Sequence, residues 1–148
     1  MKVLAIETTG EEKSIALTCE GVLQAEVSFR ADLLTEFWKV MADFLKKNRL
    51  KIKEIDIFAV SQGPGSWTGL RFGLAVAKGW AAATGKKVFA MPAAEIQRVA
   101  KGTVPMGKGD CPHSLAAALA CCTAGGADPE EIEPLYGHLP KFRKIREE

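Results

Sequence analysis

The chain has 148 residues, of which 47% are hydrophobic and 26% charged, with a formal net charge of +2. This length is typical of one compact domain, and the composition excludes wholesale disorder. The small net charge excludes a strongly basic nucleic-acid-binding protein, and no apolar run reaches the roughly 18 residues of a membrane span. The N-terminal apolar run ends at Glu7, too early for a signal peptide, so we expect a cytoplasmic protein.

Eight elements follow one another in the first hundred residues. We predict strands at 3–7, 14–19 and 22–29, a helix at 32–48, a strand at 55–60, a helix at 68–84, a strand at 87–91 and a helix at 92–100. The order βββαβαβα predicts an α/β fold, in which a mixed sheet carries helices on both faces.

The last third of the chain changes character. Residues 1–100 form the predicted domain, and residues 101–112 are rich in glycine and proline without an apolar period, which predicts a linker. Residues 113–148 begin with the short apolar stretch HSLAAALACCT, which predicts a C-terminal helix, and end in a charged tail.

The two long helices are apolar over an unusually wide arc. A helix that lies on one sheet needs only about 100° of apolar surface, so the excess predicts a second contact. We expect these helices to pair with another chain through ten residues: Leu33, Leu34, Phe37, Met41, Phe44, Leu70, Arg71, Gly73, Leu74 and Lys78. The alternative is that the C-terminal helix of the same chain covers the excess.

Three stretches carry a family resemblance: LAIETT at the N-terminus, AVSQGPGSWTGLRFGLAVAKG in the middle and EPLY near the end. Together they resemble the TsaB (YeaZ) family, which takes part in making threonylcarbamoyladenosine on transfer RNA. The resemblance implies a ribonuclease-H-like domain of the actin and sugar-kinase superfamily. Residues 113–148 then correspond to a remnant of the second half that longer members carry.

The resemblance also implies a role and partners. It implies a non-catalytic scaffold for threonylcarbamoyladenosine biosynthesis, forming a homodimer when alone and binding a TsaD-like enzyme, with a TsaE-like ATPase as a further partner. Transfer RNA would be reached through the complex. No cofactor is expected in this chain; ATP and a metal are expected on the partner enzyme.

The glycine-rich block GPGSWTGLR, residues 63–71, is open to two interpretations. A glycine-rich turn before a helix suits a phosphate, and in the superfamily an acidic residue on the first hairpin helps to hold a nucleotide. A vestigial phosphate loop would then comprise Glu7, Thr8, Thr9, Gly63, Gly65, Ser66 and Gly69. The block matches neither GxxxxGK[ST] nor GxGxxG, so we favour a packing device. The alternative function is a small ATP-binding or phosphotransfer enzyme.

Other catalytic chemistry is not indicated by the residue pattern. His113 and His138 are 25 positions apart, without the spacing of a zinc site, and Ser66 lacks the GxSxG context of a nucleophile. The four cysteines form no CxxC pair, which favours reduced thiols. We predict neither catalytic residues nor a metal site in this chain.

Overall fold

The computed structural model describes residues 1–101, 116, 119–120, 123 and 125–134. Their principal elements are β1 (Lys2–Glu7), β2 (Lys13–Cys19), β3 (Val22–Phe29), α1 (Leu33–Lys47), β4 (Ile57–Ser61), α2 (Trp67–Thr84), β5 (Lys87–Met91) and α3 (Ala93–Lys101). Single turns of 3-10 helix lie at Ile52–Glu54 and Pro129–Glu131. The predicted order of elements is confirmed. The predicted linker began at Lys101, which is the last residue of α3 in the structure. The rest of that linker, 102–112, and the tail from 135 to 148 lie outside the described residues.

One mixed sheet forms the centre of the domain, with the strand order β3-β2-β1-β4-β5. The hairpin strands β1, β2 and β3 are antiparallel, whereas β1, β4 and β5 are parallel. In the middle of the sheet Ala5 lies in register with Ala16 on one side and Ala59 on the other. Three small side chains in a row let the covering elements approach the sheet closely.

Both faces of the three central strands, β2, β1 and β4, are buried, and alternate residues of each strand point to opposite sides. On one face, α1 and α2 pack over Leu4, Ile6, Phe58 and Val60. On the other face, Ile96 of α3 joins Val3, Ala5 and Ala59. The described helical residues of the C-terminal region, Ala116, Leu119 and Ala120, belong to this second cluster and are buried there. The prediction of an α/β fold with helices on both faces is confirmed.

The start of β4 differs from the prediction. Ile55 is buried and apolar, which places it in the predicted strand, but its backbone N–H donates to the carbonyl of Ile52 and closes the 3-10 turn. The strand therefore begins two residues later, at Ile57. Burial pattern alone does not separate a buried turn residue from a buried strand residue.

Residues 125–134 run along the outer edge of β5 and form what we call the edge segment. Ala127 and Val88 exchange two backbone hydrogen bonds, of 2.9 and 2.8 Å. Farther along, Ile132 is buried in the core shared with α2. The Asp128 carboxylate accepts a hydrogen bond from Lys87 Nζ, and this bond together with the negative charge raises the pKa of Lys87. At Val88 the segment pairs backbone groups that a sheet edge would otherwise leave unpaired.

Candidate functional site

The glycine-rich block forms the connection from β4 into α2. Ser66 is the N-cap of α2, and its Oγ accepts a hydrogen bond from the backbone N–H of Gly69 at 3.2 Å. At the other end, Gly85 closes the helix with a φ of 69°, a left-handed conformation that glycine adopts without strain. Local sequence therefore sets both ends of this helix.

The loop after β1 packs directly against the first turns of α2. The backbone N–H of Ser66 donates to the carbonyl of Thr9 at 2.9 Å, and Thr8 Oγ1 donates to the carbonyl of Gly69 at 2.5 Å. A Cβ at Gly69 would lie 2.0 Å from the Thr8 carbonyl oxygen, and one at Gly73 would lie 2.5 Å from Thr8 Oγ1. Only glycine permits this approach.

Gly65, a second glycine of the block, has the same function. A Cβ at Gly65 would lie 2.7 Å from the Cβ of Thr9. The structure thus brings Thr8 and Thr9 of the predicted phosphate loop against Gly65, Ser66 and Gly69. These contacts agree with the packing interpretation, because the hairpin loop itself occupies the space beside the helix N-terminus. Nucleotide binding and the alternative enzymatic function stay predictions.

Glu7 is buried at the end of β1, with 1% of its surface exposed. Its Oε1 accepts hydrogen bonds from the backbone N–H of Thr9, at 2.9 Å, and from the Thr9 hydroxyl. The carboxylate therefore holds the hairpin loop in the shape that packs on α2. Among the residues that the structure describes, no group of three or more His, Cys, Asp or Glu side chains is placed to hold a metal ion.

Most of the predicted interface residues are core residues of this chain. Seven of the ten are buried: Leu33, Phe37, Met41, Phe44, Leu70, Gly73 and Leu74. They cannot meet a partner in the folded chain, so this part of the prediction is wrong. The physical reason is that α1 and α2 lie side by side on one face of the sheet, so each helix buries one part of its apolar arc on the sheet and another on its neighbour.

The contact between the two helices is aromatic. The ring of Phe37 lies 4.9 Å from that of Phe72, and Trp38 lies 6.0 Å from Phe72 and 6.1 Å from Trp80, all edge to face. The alternative covering of the excess by the C-terminal helix is also wrong for the described residues, because Ala116, Leu119 and Ala120 lie on the opposite face of the sheet.

The three remaining predicted residues have different environments. Leu34 is 60% exposed, and Arg71 is exposed on α2. Lys78 is half-buried, and its Nζ donates to the carbonyl of Ile132 at 2.8 Å, so it anchors the edge segment. Leu34 and Arg71 are thus placed to contact another chain, whereas Lys78 has a structural contact within this one.

An apolar surface does remain on the outside of the two helices. We call it the α1–α2 patch, and it comprises Leu34, Trp38, Trp67, Arg71, Phe72 and Ala75. A groove of about 410 Å³ runs through it, lined by Leu34, Trp67, Thr68, Arg71, Phe72 and Ala75. Trp38, beside the groove, is 49% exposed. Sequence reasoning missed four residues of this patch, although Trp38, Phe72 and Ala75 lie on predicted helices. The fourth is Trp67, which lies one residue before the predicted start of its helix.

Several residues considered for other chemistry can now be placed. Ser66 Oγ serves the helix cap, as described above. Cys19 is a free thiol. His113, His138 and the remaining cysteines lie outside the described residues. None of the helices that the structure describes is both long and apolar enough to cross a membrane.

Comparison with known proteins decides the family. The family model described as "TsaD: tRNA N6-adenosine threonylcarbamoyltransferase" matches residues 31–106, just over half of the chain. The chain belongs to this family. It is 33% identical over 82 residues to the tRNA threonylcarbamoyladenosine biosynthesis protein TsaB of Escherichia coli, an alignment that covers 55% of this chain and 36% of that protein.

A solved structure supports the same assignment. YeaZ from Pseudomonas aeruginosa superposes with a TM-score of 0.60 and 28% identity, covering 66% of this chain and 47% of that one. The TsaB (YeaZ) resemblance of the sequence motifs is thereby confirmed. The chain spans about a third of the E. coli relative and about half of the P. aeruginosa chain in these alignments.

A similar fold also occurs in a protein of much lower sequence identity. The RuvC protein of Thermus thermophilus, solved with a Holliday junction substrate, matches 82% of this chain with a TM-score of 0.51 and 14% identity. At this identity the likeness shows the fold alone. It confirms the ribonuclease-H-like fold that the sequence motifs imply.

Proposed function

We propose that this chain is a non-catalytic scaffold in the biosynthesis of N6-threonylcarbamoyladenosine on transfer RNA, which binds a TsaD-like enzyme through the α1–α2 patch. The family model and the TsaB relative support the pathway. The catalytic step, with its ATP and metal, belongs to the partner enzyme in this proposal. A TsaE-like ATPase and transfer RNA join through the complex.

The observation that carries the proposal is the exposure of Trp38 and Leu34 beside an apolar groove. Tryptophan and arginine dominate the binding energy of protein interfaces, and tryptophan is costly to leave in water. Here Trp38 lies next to a groove that Arg71 borders, and Phe72 forms its floor against the core. This arrangement fits an apolar helix of a second chain.

The same patch accounts for a homodimer in the absence of the enzyme. A surface that includes its own apolar side chains and its own groove can pair with itself across a two-fold axis, since each copy supplies both parts. Homodimer and enzyme complex would then compete for one surface. Adding the enzyme should dissociate the homodimer.

The test uses a matched pair of substitutions on α2. Ala75 and Ala83 are both exposed on this helix and lie eight residues apart, about 12 Å along its axis. We expect Ala75→Glu, which places a charge in the groove, to weaken capture of the TsaD-like enzyme from the same genome at least tenfold. Ala83→Glu introduces the same charge outside the patch and should bind like the wild-type chain.

Light scattering at micromolar concentration gives a second measurement, in which Ala75→Glu should be monomeric and Ala83→Glu dimeric. Circular dichroism checks that both variants fold. If Ala75→Glu captured the enzyme as well as the wild-type chain does, or if both variants lost enzyme capture equally, the patch would be ruled out as the binding surface.

A further inference from the structure

A cavity of about 140 Å³ opens beside Glu7, where the C-terminal ends of β1, β4 and β5 meet. The loop after β1 contributes Thr9 and Gly10, the loop after β4 contributes Pro64 and Gly65, and α3 contributes its first two turns. It lies at the end of the parallel strands, where α/β sheets commonly bind ligands. This cavity is separate from the α1–α2 patch, and its assignment does not depend on the proposed function.

The charge of the cavity comes from one oxygen atom. Glu7 Oε1 is engaged by two donors of Thr9. Glu7 Oε2 is buried and has no hydrogen-bond partner among the residues that the structure describes. Burying a charged oxygen without a partner is unfavourable, so a cation that donated to this atom would relieve that cost.

The other lining residues determine which kind of cation fits the cavity. Pro64, Ala93 and Ile96 supply apolar surface, and Gln97 supplies a side-chain amide. None of the lining residues that the structure describes is a lysine or an arginine. A compact ammonium group, with three N–H donors, can use both Glu7 Oε2 and the amide oxygen of Gln97, and it fits a cavity of about 140 Å³ more readily than the larger planar guanidinium. A divalent metal needs several oxygen ligands, and the lining residues that the structure describes offer one carboxylate.

We propose that this cavity binds a primary alkylammonium group, whose nitrogen donates to Glu7 Oε2 and whose alkyl stem lies against Pro64, Ala93 and Ile96. The group is either a small free amine or the side chain of a lysine on another molecule. The negative charge of Glu7 disfavours a phosphate at the same position. A cation at this position would hold the β1–β2 loop against α3.

The test is a titration of backbone amide NMR signals with n-propylammonium chloride. The amides of Gly10 and Gly65, which line the cavity, should shift saturably in the wild-type chain. The uncharged analogue 1-propanol should bind the wild-type chain at least tenfold more weakly than propylammonium does. Propylammonium should also bind Glu7→Gln at least tenfold more weakly than it binds the wild-type chain. A blocked tripeptide with a central lysine tells the two sources apart: tighter binding than propylammonium indicates a lysine side chain, and weaker binding indicates a small free amine. Its arginine counterpart should not bind.

A second pair of variants leaves Glu7 intact. Ala93 lines the cavity and Ala94, its neighbour on α3, is exposed outside it. Ala93→Leu should abolish the saturable shifts, and Ala94→Leu should leave them unchanged. This pair decides the question if Glu7→Gln fails to fold. Three results would overturn the proposal and leave only water beside Glu7. The shifts of the wild-type chain do not saturate, 1-propanol shifts the same amides as strongly as propylammonium, or Ala93→Leu binds propylammonium as the wild-type chain does.

Discussion

At the scale of single residues, the glycines of α2 have opposite physical functions. Gly69 and Gly73 face Thr8, where a Cβ would come within 2.5 Å or less of an oxygen. Gly79 lies on the same helix, but a Cβ there would meet no atom within 4 Å. The first two glycines are required by the neighbouring loop, whereas Gly79 only lowers the helix propensity of its position.

Alanine substitutions at these positions should therefore change stability in opposite directions. Gly69→Ala forces the β1–β2 loop away from the helix and should lower the free energy of unfolding by about 3 kcal/mol or more. Gly79→Ala should raise it by about 0.5–1 kcal/mol, because alanine is the better helix former. Urea unfolding followed by circular dichroism measures both. A neutral Gly69→Ala would show that the loop does not need this contact.

At the scale of elements, two neighbouring aromatic residues of α1 divide the helix into core and surface. Phe37 is fully buried between the sheet and α2, and Trp38 is half exposed on the patch. Both contact Phe72, so their aromatic environment is similar. Their burial differs, and burial sets the cost of removing them.

We expect Phe37→Ala to lower the free energy of unfolding by about 3–5 kcal/mol, the usual effect of emptying a core aromatic site. Trp38→Ala should cost less than about 3 kcal/mol, because Trp38 is already 49% exposed in the folded chain. Denaturant midpoints give the comparison. In enzyme capture the order should reverse among folded variants, with Trp38→Ala the more damaging. Equal losses of stability in Phe37→Ala and Trp38→Ala would contradict the division of α1 into a core side and a surface side.

At the scale of the whole molecule, the C-terminal region passes around one edge of the sheet. Ala116 and Leu119 lie beneath one face, Ala127 pairs with the edge strand β5, and Ile132 is buried on the other face. Contacts from Lys78 and Gln62 to backbone carbonyls hold the far end of the edge segment. The C-terminal region thus contributes to the hydrophobic clusters on both faces of the sheet. Its edge segment also pairs with the edge strand between them.

A pair of adjacent glycines tests this arrangement. A Cβ at Gly126 would lie 2.6 Å from the Cβ of Lys87, whereas one at Gly125 would meet no atom within 4 Å. Gly126→Val should lift the edge segment and speed amide hydrogen exchange at Val88 at least tenfold, and Gly125→Val should leave it slow. Unchanged protection in Gly126→Val would mean that the segment adapts around the larger side chain.

The sequence alone determined the order of elements, the fold class and the family, because each depends on local patterns. Apolar periodicity, the Ser66 cap and the Gly85 C-terminus are read within one or two turns of chain. The packing interpretation of the glycine-rich block was also accessible, since the nucleotide-loop spacings are absent. These features need no knowledge of what lies opposite in space.

Tertiary structure decided which apolar side chains remain at the surface. The wide apolar arcs of α1 and α2 were correctly read as needing a second neighbour, but whether that neighbour is another chain or the adjacent helix depends on how the sheet places the two helices. The same placement left Leu34 and Trp38 exposed and brought Glu7 to a cavity beside α3. At both places, side chains that are far apart in the sequence come into contact, and the periodicity of one sequence does not predict such contacts.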